Sequence, residues 1–567
     1  MKTAIELLWQ SASRMPNHLA LSDDAGERRL SYGELVVEIE TLAAGLLALG
    51  VRPGHRFATV MPGTLDLIVT LFALSRIGAI PALINPRLKP EEIGKLVAQG
   101  GMKGALVAPN MAAIDAVAQA LPDGALLIVP GDGMGAARSL ATCRGDARGL
   151  GPLPRPTEDE PAYIFYTSGT TGLPKAVLIP HRATEARIVN TAAITNLRFG
   201  AHNRFLGFMP LNHAIGFYGV LIPCLAYNGT YFAQPVFVPD DALAGIERHR
   251  VTYLFATPTH YHLMLASPSF ASRELSSLDM ICYGAAPASF ELLQRMAKGF
   301  KSRVCHIYGT TETMCSLYQP APLEKPDRLS PGFYSTVRIV RNGGGTGDTV
   351  APGEQGELLI DATAGMIFSE YLNQPDTTAE KLVDGWYRTG DIVLLNEDGS
   401  VTLKGRGDDI IRSGAENVHP AEVEAMLESH PGVTDIAVVG IPDARWGELV
   451  VACVVCRAPD PSPQELHAHC CKSELAGYKR PRAYFSVDAL PRNVIVGVAV
   501  IADVWSLASL EEVATEDDAM LIGDVADTAV FWELAESVAI AEVAEPTASS
   551  EPISEQLTAM VQDAARA

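Results

Sequence analysis

Short apolar runs alternate with longer stretches of helical periodicity through the first 150 residues of the chain. The runs at 56–60 and 105–108 have the length and composition of buried strands, and the stretches between such runs are long enough for helices. The same alternation continues as far as residue 404. Because alternating strands and helices form sheets that are covered by helices, we predict an α/β fold for this large N-terminal part.

A different pattern follows Gly405-Arg-Gly-Asp-Asp409, which has two glycines and two acidic residues. Pro420 opens a helical pattern, His430-Pro-Gly432 ends it, and a strand-like run occupies 433–439. This part of the chain has the size and pattern of a small α+β domain.

Acidic residues are concentrated at the end of the chain. The full sequence of 567 residues has 66 acidic and 44 basic residues and a formal charge of −22. Residues 498–567 hold 15 of the acidic residues and a single basic one, Arg566. Since such a step in composition marks a boundary, we predict a large N-terminal domain at 1–407, a small C-terminal domain at 408–497 and an acidic extension at 498–567.

The composition excludes several classes of protein. With 48% hydrophobic and 19% charged residues, the chain is globular and not disordered or fibrous. Its negative charge disfavours general binding to nucleic acid or to an anionic membrane. The strongest apolar run, 67–74, is too short to span a bilayer, and Glu6 interrupts the N-terminal apolar stretch. We therefore predict a cytoplasmic protein without nucleic-acid or membrane partners. Whether it forms a homodimer is left open.

The segment Tyr166-Thr-Ser-Gly-Thr-Thr-Gly-Leu-Pro-Lys175 has the composition of a phosphate-binding loop. Glycines let backbone N–H groups approach an anion, hydroxyls add donors, and Lys175 adds positive charge. A P-loop would continue from Gly-Lys-Ser/Thr into a helix. Here Ala176 follows the lysine and 177–179 has strand character, so we predict a phosphate-binding hairpin of another kind.

This loop resembles the signature of the acyl-adenylate-forming (AMP-binding) superfamily, and the resemblance extends from residue 1 to about 496. Within the superfamily the likeness is strongest to aryl-CoA ligases of the 4-chlorobenzoate type, for example in Phe255-Ala-Thr-Pro-Thr-His260. The implied fold is a large N-terminal domain of layered sheets and helices with a small barrel-like part, followed by a small mobile α+β domain. Four more segments match family motifs in order: Pro210-Leu-Asn-His-Ala-Ile-Gly-Phe217, Tyr308-Gly-Thr-Thr-Glu312, Trp386-Tyr-Arg-Thr-Gly-Asp391 and Ser413-Gly-Ala-Glu-Asn-Val-His-Pro420.

The resemblance implies a reaction in two steps. A carboxylate attacks the α-phosphate of MgATP to give acyl-AMP and pyrophosphate, and the thiol of coenzyme A then takes the acyl group and releases AMP. The implied cofactors are ATP, Mg²⁺ and coenzyme A, and the implied substrate is an aromatic carboxylate similar to 4-chlorobenzoate. Two alternatives stay open: an adenylation enzyme that feeds a carrier protein, and a non-catalytic relative that binds acyl or nucleotide ligands.

Catalytic roles are implied for Lys175, His213 and Glu312, and a hinge between the domains is implied at Asp408. His213 would orient the acyl group, and Glu312 would be a ligand of ATP-bound Mg²⁺. The chemistry agrees, because Mg²⁺ usually takes one or two carboxylates together with phosphate oxygens. The residues implied to bind ATP or AMP are Thr167, Ser168, Gly169, Thr170, Thr171, Gly172, Lys175, Tyr308, Thr311, Asp391 and Arg406.

Coenzyme A and the acyl group have separate implied sites. Arginines suit the phosphates of coenzyme A and aromatic rings suit its adenine. Phe255, Ile307 and Met314 would form a flat apolar slot for an aromatic ring, and Gly284 and Gly309 would leave room beside it. The implied coenzyme A residues are Arg87, Trp446, Tyr478 and Arg480. The implied acyl-pocket residues are Asn190, His213, Ala214, Ile215, Phe255, Gly284, Ile307, Gly309, Met314 and Cys315.

One residue of the family pattern is missing. The family carries a lysine in the motif Leu-Pro-x-Asn-x-x-x-Lys, and the matching segment here is Leu490-Pro-Arg-Asn-Val-Ile-Val-Gly497. Losing one charged contact that forms in the transition state costs on the order of 2–4 kcal/mol. We therefore expect impaired adenylation, with thioester formation from acyl-AMP retained.

Overall fold

The computed structural model describes residues 2–167, 174–285, 288, 290–325, 328–363, 365–406, 411–414, 416–418, 420–428, 430–443, 445–456, 461–473, 475–486 and 503–504. These residues fall into two compact units. The first is Met1–His419 with Ala444–Gly447, and the second is Pro420–Asp443 with the chain from Glu448 onward. The predicted hinge Asp408 lies outside the described residues, as does the acidic extension apart from 503–504, so the predicted domain boundaries stay predictions.

Helices and strands alternate through most of the first unit. The helices of the described residues are α1 (Ala4–Arg14), α2 (Tyr32–Ala48), α3 (Leu65–Arg76), α4 (Pro90–Gln99), α5 (Met111–Ala120), α6 (His181–Thr195), α7 (Ile222–Ala226), α8 (Pro239–His249), α9 (Pro258–Ala266), α10 (Phe290–Phe300), α11 (Pro375–Lys381), α12 (Pro420–Glu428) and α13 (Pro463–Lys472). The strands are β1 (Leu19–Asp23), β2 (Arg29–Ser31), β3 (Arg56–Val60), β4 (Ile80–Leu83), β5 (Gly104–Val107), β6 (Leu126–Val129), β7 (Arg138–Ser139), β8 (Pro161–Thr167), β9 (Lys175–Pro180), β10 (Arg204–Gly207), β11 (Thr230–Ala233), β12 (Tyr253–Ala256), β13 (Met280–Tyr283), β14 (Arg303–Thr310), β15 (Met314–Gln319), β16 (Ser330–Pro331), β17 (Val337–Val340), β18 (Gln355–Asp361), β19 (Glu370–Tyr371), β20 (Leu382–Val383), β21 (Trp386–Leu395), β22 (Val401–Arg406), β23 (Ile411–Ser413), β24 (Glu416–Val418), β25 (Val433–Asp443), β26 (Gly447–Cys456), β27 (Ala483–Ser486) and β28 (Asp503–Val504).

Two large sheets form the core of the first unit. One has nine strands in the order β16-β15-β14-β13-β12-β10-β11-β1-β2, and the other has eight in the order β19-β9-β8-β4-β3-β5-β6-β7. Both are parallel in their centres, where β10, β12, β13 and β14 pair in one sheet and β3, β4, β5 and β8 in the other. Parallel strands are typically buried on both faces, which explains their continuous apolar sequences.

A third, smaller sheet of the first unit is antiparallel and contains β17, β18, β21, β20 and β22. The hairpin of β23 and β24 follows it. In the second unit β26 pairs with β25 and lies parallel to β27, which is antiparallel to β28. The alternation of helices and strands predicted from the apolar pattern is thus present, and the mixed α/β fold class is confirmed.

The apolar run at 67–74 lies within α3, where every residue of the run is buried in the core. Thr64 begins this helix by accepting a hydrogen bond from the backbone N–H of Leu67. The strong apolar character of the run therefore reflects a helix surrounded by protein. Within the described ranges, every helix falls short of the length and apolar character that crossing a bilayer requires.

Candidate active site

The predicted phosphate-binding hairpin is formed by β8 and β9. These strands pair antiparallel, and Thr167 opposite Lys175 is the last pair before the loop that connects them. Lys175 therefore begins a strand and not a helix, which agrees with the sequence argument against a P-loop. The predicted nucleotide contacts Ser168, Gly169, Thr170, Thr171 and Gly172 lie outside the described residues, so their roles stay predictions.

The predicted acyl pocket takes residues from neighbouring parallel strands. Phe255 lies near the end of β12, Gly284 directly follows β13, and Ile307 and Gly309 lie in the last half of β14. These three strands are adjacent and parallel, so their carboxyl ends meet at one edge of the nine-stranded sheet. Ligands of open α/β sheets bind at such edges. Tertiary structure thus gathers four of the predicted pocket residues.

The two glycines of this group are required by close backbone contacts. A Cβ built on Gly284 would lie 2.3 Å from the carbonyl oxygen of Ile307, and one on Gly309 would lie 1.4 Å from that of Met314. Neither distance is compatible with a side chain. We expected these glycines to leave room for the ligand, whereas the backbone itself fills the place of a Cβ. Their first role is therefore to let β13, β14 and β15 approach one another.

Asn190 and Cys315 are joined by a hydrogen bond. Asn190 is fully buried on α6, and its side-chain Nδ2 donates to the carbonyl oxygen of Cys315 at 2.7 Å. Its Oδ1 accepts from the backbone N–H of Tyr334 at 3.2 Å. Cys315 pairs with Gly309 across β14 and β15. Asn190 thus has both ends of its amide occupied by backbone, which makes it a tie between elements around the predicted pocket.

His213 lies just before a π-helical segment, Ile215–Leu221, whose Phe217 N–H donates to the His213 carbonyl at 3.2 Å. Such segments are frequent at functional sites. The Nε2 atom of His213 is buried and has no hydrogen-bond partner in the described part of the chain. The nearest carboxylate oxygen in an ion-pair geometry is that of Glu416, at 3.6 Å. A buried ring nitrogen without a partner is costly unless a ligand supplies one.

Glu312, Tyr371 and Lys175 form one cluster. The Tyr371 hydroxyl donates to Oε1 of Glu312 at 2.7 Å, and the Lys175 ammonium lies 5.4 Å from the centre of the Tyr371 ring. Glu312 and Tyr371 are both buried. Burial, followed by the charge of Glu312, raises the pKa of Tyr371 far above its ordinary value, so the phenol stays a donor at neutral pH. Tyr371 begins the segment Tyr371-Leu-Asn-Gln-Pro375, which also resembles the family. Its contacts with the two predicted catalytic residues were not predicted.

Arg187 supports the turn that carries Glu312. This arginine of α6 is fully buried, and its guanidinium donates to the carbonyl oxygens of Thr311 at 3.1 Å, Glu312 at 2.9 Å and Met366 at 2.8 Å. It also lies 5.1 Å from the ring centre of Tyr218. Burial lowers the pKa of Arg187 to about 10, which still leaves it charged at neutral pH. We did not predict this residue, although an arginine between apolar positions of a helix was a visible signal.

The predicted ribose contact, Asp391, lies almost fully buried beside the predicted nucleotide residue Tyr308. The Tyr308 hydroxyl donates to one carboxylate oxygen of Asp391, and Arg412 donates to the other at 3.3 Å. Arg406 lies opposite Asp391 in the pairing of β21 and β22. Three of the predicted nucleotide residues are therefore neighbours, although they are far apart in sequence. The contact with Arg412 was not predicted.

The predicted coenzyme A residues are divided between the two units. Arg87 lies after β4, and its charge contributes with burial to lowering the pKa of His260 to about 4. Trp446 accepts a hydrogen bond on its carbonyl from the Gly414 N–H at 2.6 Å. Tyr478 and Arg480 belong to the second unit, where the Arg480 guanidinium contacts Cys471 Sγ at 3.1 Å. Each unit thus carries part of the predicted set.

Comparison with known proteins gives the family. The pattern of the AMP-binding enzyme family matches residues 8–372, and that of the AMP-binding enzyme C-terminal domain matches residues 422–494. The chain belongs to the AMP-binding enzyme family, and the membership predicted from its motifs is confirmed.

Two relatives and one solved structure illustrate the likeness. The 4-chlorobenzoate–CoA ligase of Arthrobacter sp. is 43% identical over 505 residues, which cover 88% of this chain and 94% of that protein. The 4-chlorobenzoate–CoA ligase of Pseudomonas sp. strain CBS-3 is 36% identical over 510 residues, covering 87% and 92%. The amide bond synthetase McbA from Marinactinospora thermotolerans matches with a TM-score of 0.77 and 28% identity, covering 88% of this chain and 98% of that one.

Proposed function

We propose that the chain is an AMP-forming aryl-CoA ligase that activates a benzoate-type acid, similar to 4-chlorobenzoate, and transfers its acyl group to coenzyme A. The observation that carries this proposal is the cluster of Glu312, Tyr371 and Lys175. It places a buried carboxylate and a cation beside the strand end that supplies the predicted acyl pocket. The likeness to 4-chlorobenzoate–CoA ligases supports the same activity.

The residues of the cluster fit a magnesium nucleotide. Mg²⁺ prefers carboxylate and phosphate oxygens, and Glu312 offers a carboxylate whose Oε1 is fixed by Tyr371. When bound, Mg²⁺ would offset the charge that develops on the phosphates. Lys175 provides a second positive charge at the loop end of the β8–β9 hairpin. The chain thus brings preorganised charge to a reaction between two anions.

In the first step a carboxylate oxygen of the acid bonds to the α-phosphorus of ATP, and the bond from that phosphorus to the pyrophosphate oxygen breaks. Asp391 would accept hydrogen bonds from the ribose, held in place by Tyr308 and Arg412. His213 Nε2 would donate to the carboxylate or to its developing acyl oxygen, which supplies the partner that this buried atom lacks in the described residues. These contacts position the reactants and stabilise charge.

In the second step the thiol sulfur of coenzyme A bonds to the acyl carbon, the bond from that carbon to AMP breaks, and the thiol proton is released. Arg87 and Arg480 would contact the phosphates, and Trp446 and Tyr478 would flank the adenine. Guanidinium groups and aromatic rings are suited to these partners. A rotation of the small domain about Asp408 would separate the two steps.

The ligase activity is tested by incubating the full chain with 4-chlorobenzoate, MgATP and coenzyme A and measuring aryl-CoA by mass spectrometry. We expect aryl-CoA and AMP in equal amounts, and a strong loss of both in Glu312→Gln. The matched control is Glu40→Gln, which removes a carboxylate paired with Arg76 in the helices α2 and α3. Absence of aryl-CoA with every benzoate tested, from ATP and from synthetic benzoyl-AMP alike, would refute the proposal.

The role of Gly497 is tested by separating the two steps. ATP–pyrophosphate exchange with benzoate measures adenylation, and coenzyme A consumption from synthetic benzoyl-AMP measures thioester formation. We expect slow exchange, fast thioester formation, and a rise of roughly 10²–10³ in exchange alone for Gly497→Lys. Equal, fast rates in the unaltered chain would show that adenylation does not need the missing lysine.

The same synthetic benzoyl-AMP distinguishes the alternatives. Transfer to a carrier-protein thiol but not to coenzyme A would indicate an adenylation enzyme for a carrier. Transfer to an amine would follow the likeness to the amide bond synthetase McbA. Tight binding of benzoyl-AMP without any transfer would indicate a non-catalytic relative.

A further inference from the structure

A second concentration of positive charge lies away from the strand ends that supply the acyl pocket. A cavity of about 330 Å³ is lined by Arg29, Arg204 and Arg248, together with His18 and His249. Arg204 is the first residue of β10, so this cavity begins at the amino ends of parallel strands whose neighbours carry the acyl pocket at their carboxyl ends. Its volume lies at the lower end of the range for small-molecule sites, which begins at ~300 Å³.

Arg204 is held in a fixed place. Its Nε donates to the carbonyl oxygen of His249 at the end of α8, and its guanidinium lies 4.9 Å from the ring centre of Phe232. The Phe232 ring also stacks on the His249 ring, with ring centres 4.0 Å apart. The two Nη amino groups of Arg204 have no hydrogen-bond partner in the described part of the chain. A half-buried guanidinium is thus oriented by the protein while most of its donors stay unused.

The charges around Arg204 are mostly of its own sign. Its pKa is lowered first by burial and then by Arg250 and Arg29. Arg29 forms no ion pair or hydrogen bond through its side chain with any described residue. The carboxylate of Asp24 pairs with two of the residues that line the cavity, Arg248 at 3.4 Å and His249 at 3.0 Å. Like charges gathered in a cavity cost free energy that an anion would remove.

We infer that this cavity binds the phosphate group of a small soluble molecule, with Arg204 and Arg29 as its main contacts. Guanidinium groups bind phosphate through paired N–H donors, which suits the unused Nη groups of Arg204. The Phe232 ring in the wall is already in contact with the Arg204 guanidinium and with the His249 ring, and these contacts compete with the stacking of a nucleobase. The favoured ligand is therefore a phosphate or pyrophosphate group and not a stacked nucleotide.

The location is tested by soaking crystals of the full chain in sodium tungstate, whose anomalous signal marks an oxyanion site. We expect a peak within hydrogen-bond distance of the Arg204 guanidinium. Tungstate bound elsewhere, with none in this cavity, would overturn the inference.

The affinity is tested by calorimetric titration with inorganic pyrophosphate at fixed ionic strength, since screening alters such contacts. We expect Arg204→Gln and Arg29→Gln each to weaken one binding event by roughly tenfold, the effect of losing one charge-assisted contact. Arg155→Gln, an exposed arginine outside the cavity, is the matched control and should change nothing. Because Arg29 is exposed, its variant should fold even if Arg204→Gln does not.

A lipid headgroup is the other source of a phosphate. Sedimentation with vesicles that contain phosphatidic acid distinguishes it from a soluble ligand. Vesicle binding that depends on Arg29, without any binding of free pyrophosphate, would overturn the inference of a soluble ligand. Pyrophosphate binding that is unchanged in both arginine variants would overturn the site itself.

Discussion

Two arginines of the first unit show two uses of buried positive charge. Arg187 is fully buried, and three carbonyl oxygens of its own chain accept its hydrogen bonds beside the carboxylate of Glu312. Arg204 is half-buried, uses its Nε within the chain and has Arg29 and Arg250 as its charged neighbours. The first guanidinium donates through its Nε and Nη2 to its own chain and therefore fixes a turn, while its buried Nη1 has no hydrogen-bond partner among the described residues. The second is left unsatisfied in an acidic protein, which is the arrangement expected where an anion comes from outside.

The largest expected effect is on stability at Arg187. Arg187→Met keeps most of the volume but removes the guanidinium that donates to the carbonyl oxygens of Thr311, Glu312 and Met366. The Glu312 carbonyl keeps a second donor, the Phe368 N–H, whereas those of Thr311 and Met366 lose the guanidinium as their donor. We expect the free energy of unfolding to fall by on the order of 3–5 kcal/mol, measured from urea denaturation. Arg204→Met should cost about 1 kcal/mol or less, because a single hydrogen bond is lost and repulsion is relieved. Similar losses for both variants would contradict the comparison.

The next largest effect concerns the hydroxyl group of Tyr371, the residue that contacts both Glu312 and Lys175. Tyr371→Phe keeps the ring near Lys175 but removes the hydrogen bond to Glu312. Since a hydrogen bond to a charged group contributes about 1.5–3 kcal/mol, we expect MgATP to bind roughly tenfold more weakly or worse in equilibrium titration. Thioester formation from benzoyl-AMP should be unchanged.

The matched control for that variant is Tyr32→Phe. The Tyr32 hydroxyl is also buried, but it donates to the carbonyl oxygens of Leu225 and Gly229 in a structural contact. The Tyr32→Phe substitution should lower the free energy of unfolding without altering MgATP binding. Weaker MgATP binding in Tyr32→Phe as well would show that the Tyr371 effect reports only general loosening.

The smallest expected effect is at the edge of the cavity. Asp24→Asn removes the carboxylate that faces Arg248 and His249, so the cavity becomes more positive. We expect pyrophosphate to bind about threefold more tightly, since partly exposed charges interact by less than about 1 kcal/mol. Asp159→Asn, which removes an exposed carboxylate paired with Arg182, should have no effect on this binding. Weaker binding in Asp24→Asn would indicate that Asp24 helps to form the site.

Part of the candidate site was predictable because its signals are local. The strand, turn and lysine at 166–175 are consecutive in sequence, and their hairpin formed as expected. The motifs that end at Glu312 and Asp391 also identify themselves by short, ordered patterns. The role of the glycines was less predictable, since the proximity of Ile307 and Met314 backbone to Gly284 and Gly309 depends on how strands pack.

The sequence by itself determined the alternation of helices and strands, the family and the order of its motifs, because these depend on neighbouring residues and their periodicity. Tertiary structure decided which distant residues meet. Arg187 and Glu312 are 125 positions apart, and Tyr371 and Glu312 are 59 apart, so no local pattern joins them. The same holds for Arg29 and Arg204, which come together because β1 and β2 lie beside β10 and β11 in one sheet. Burial then determines what each charge does, because a guanidinium removed from water must find its partners inside the chain or in a ligand.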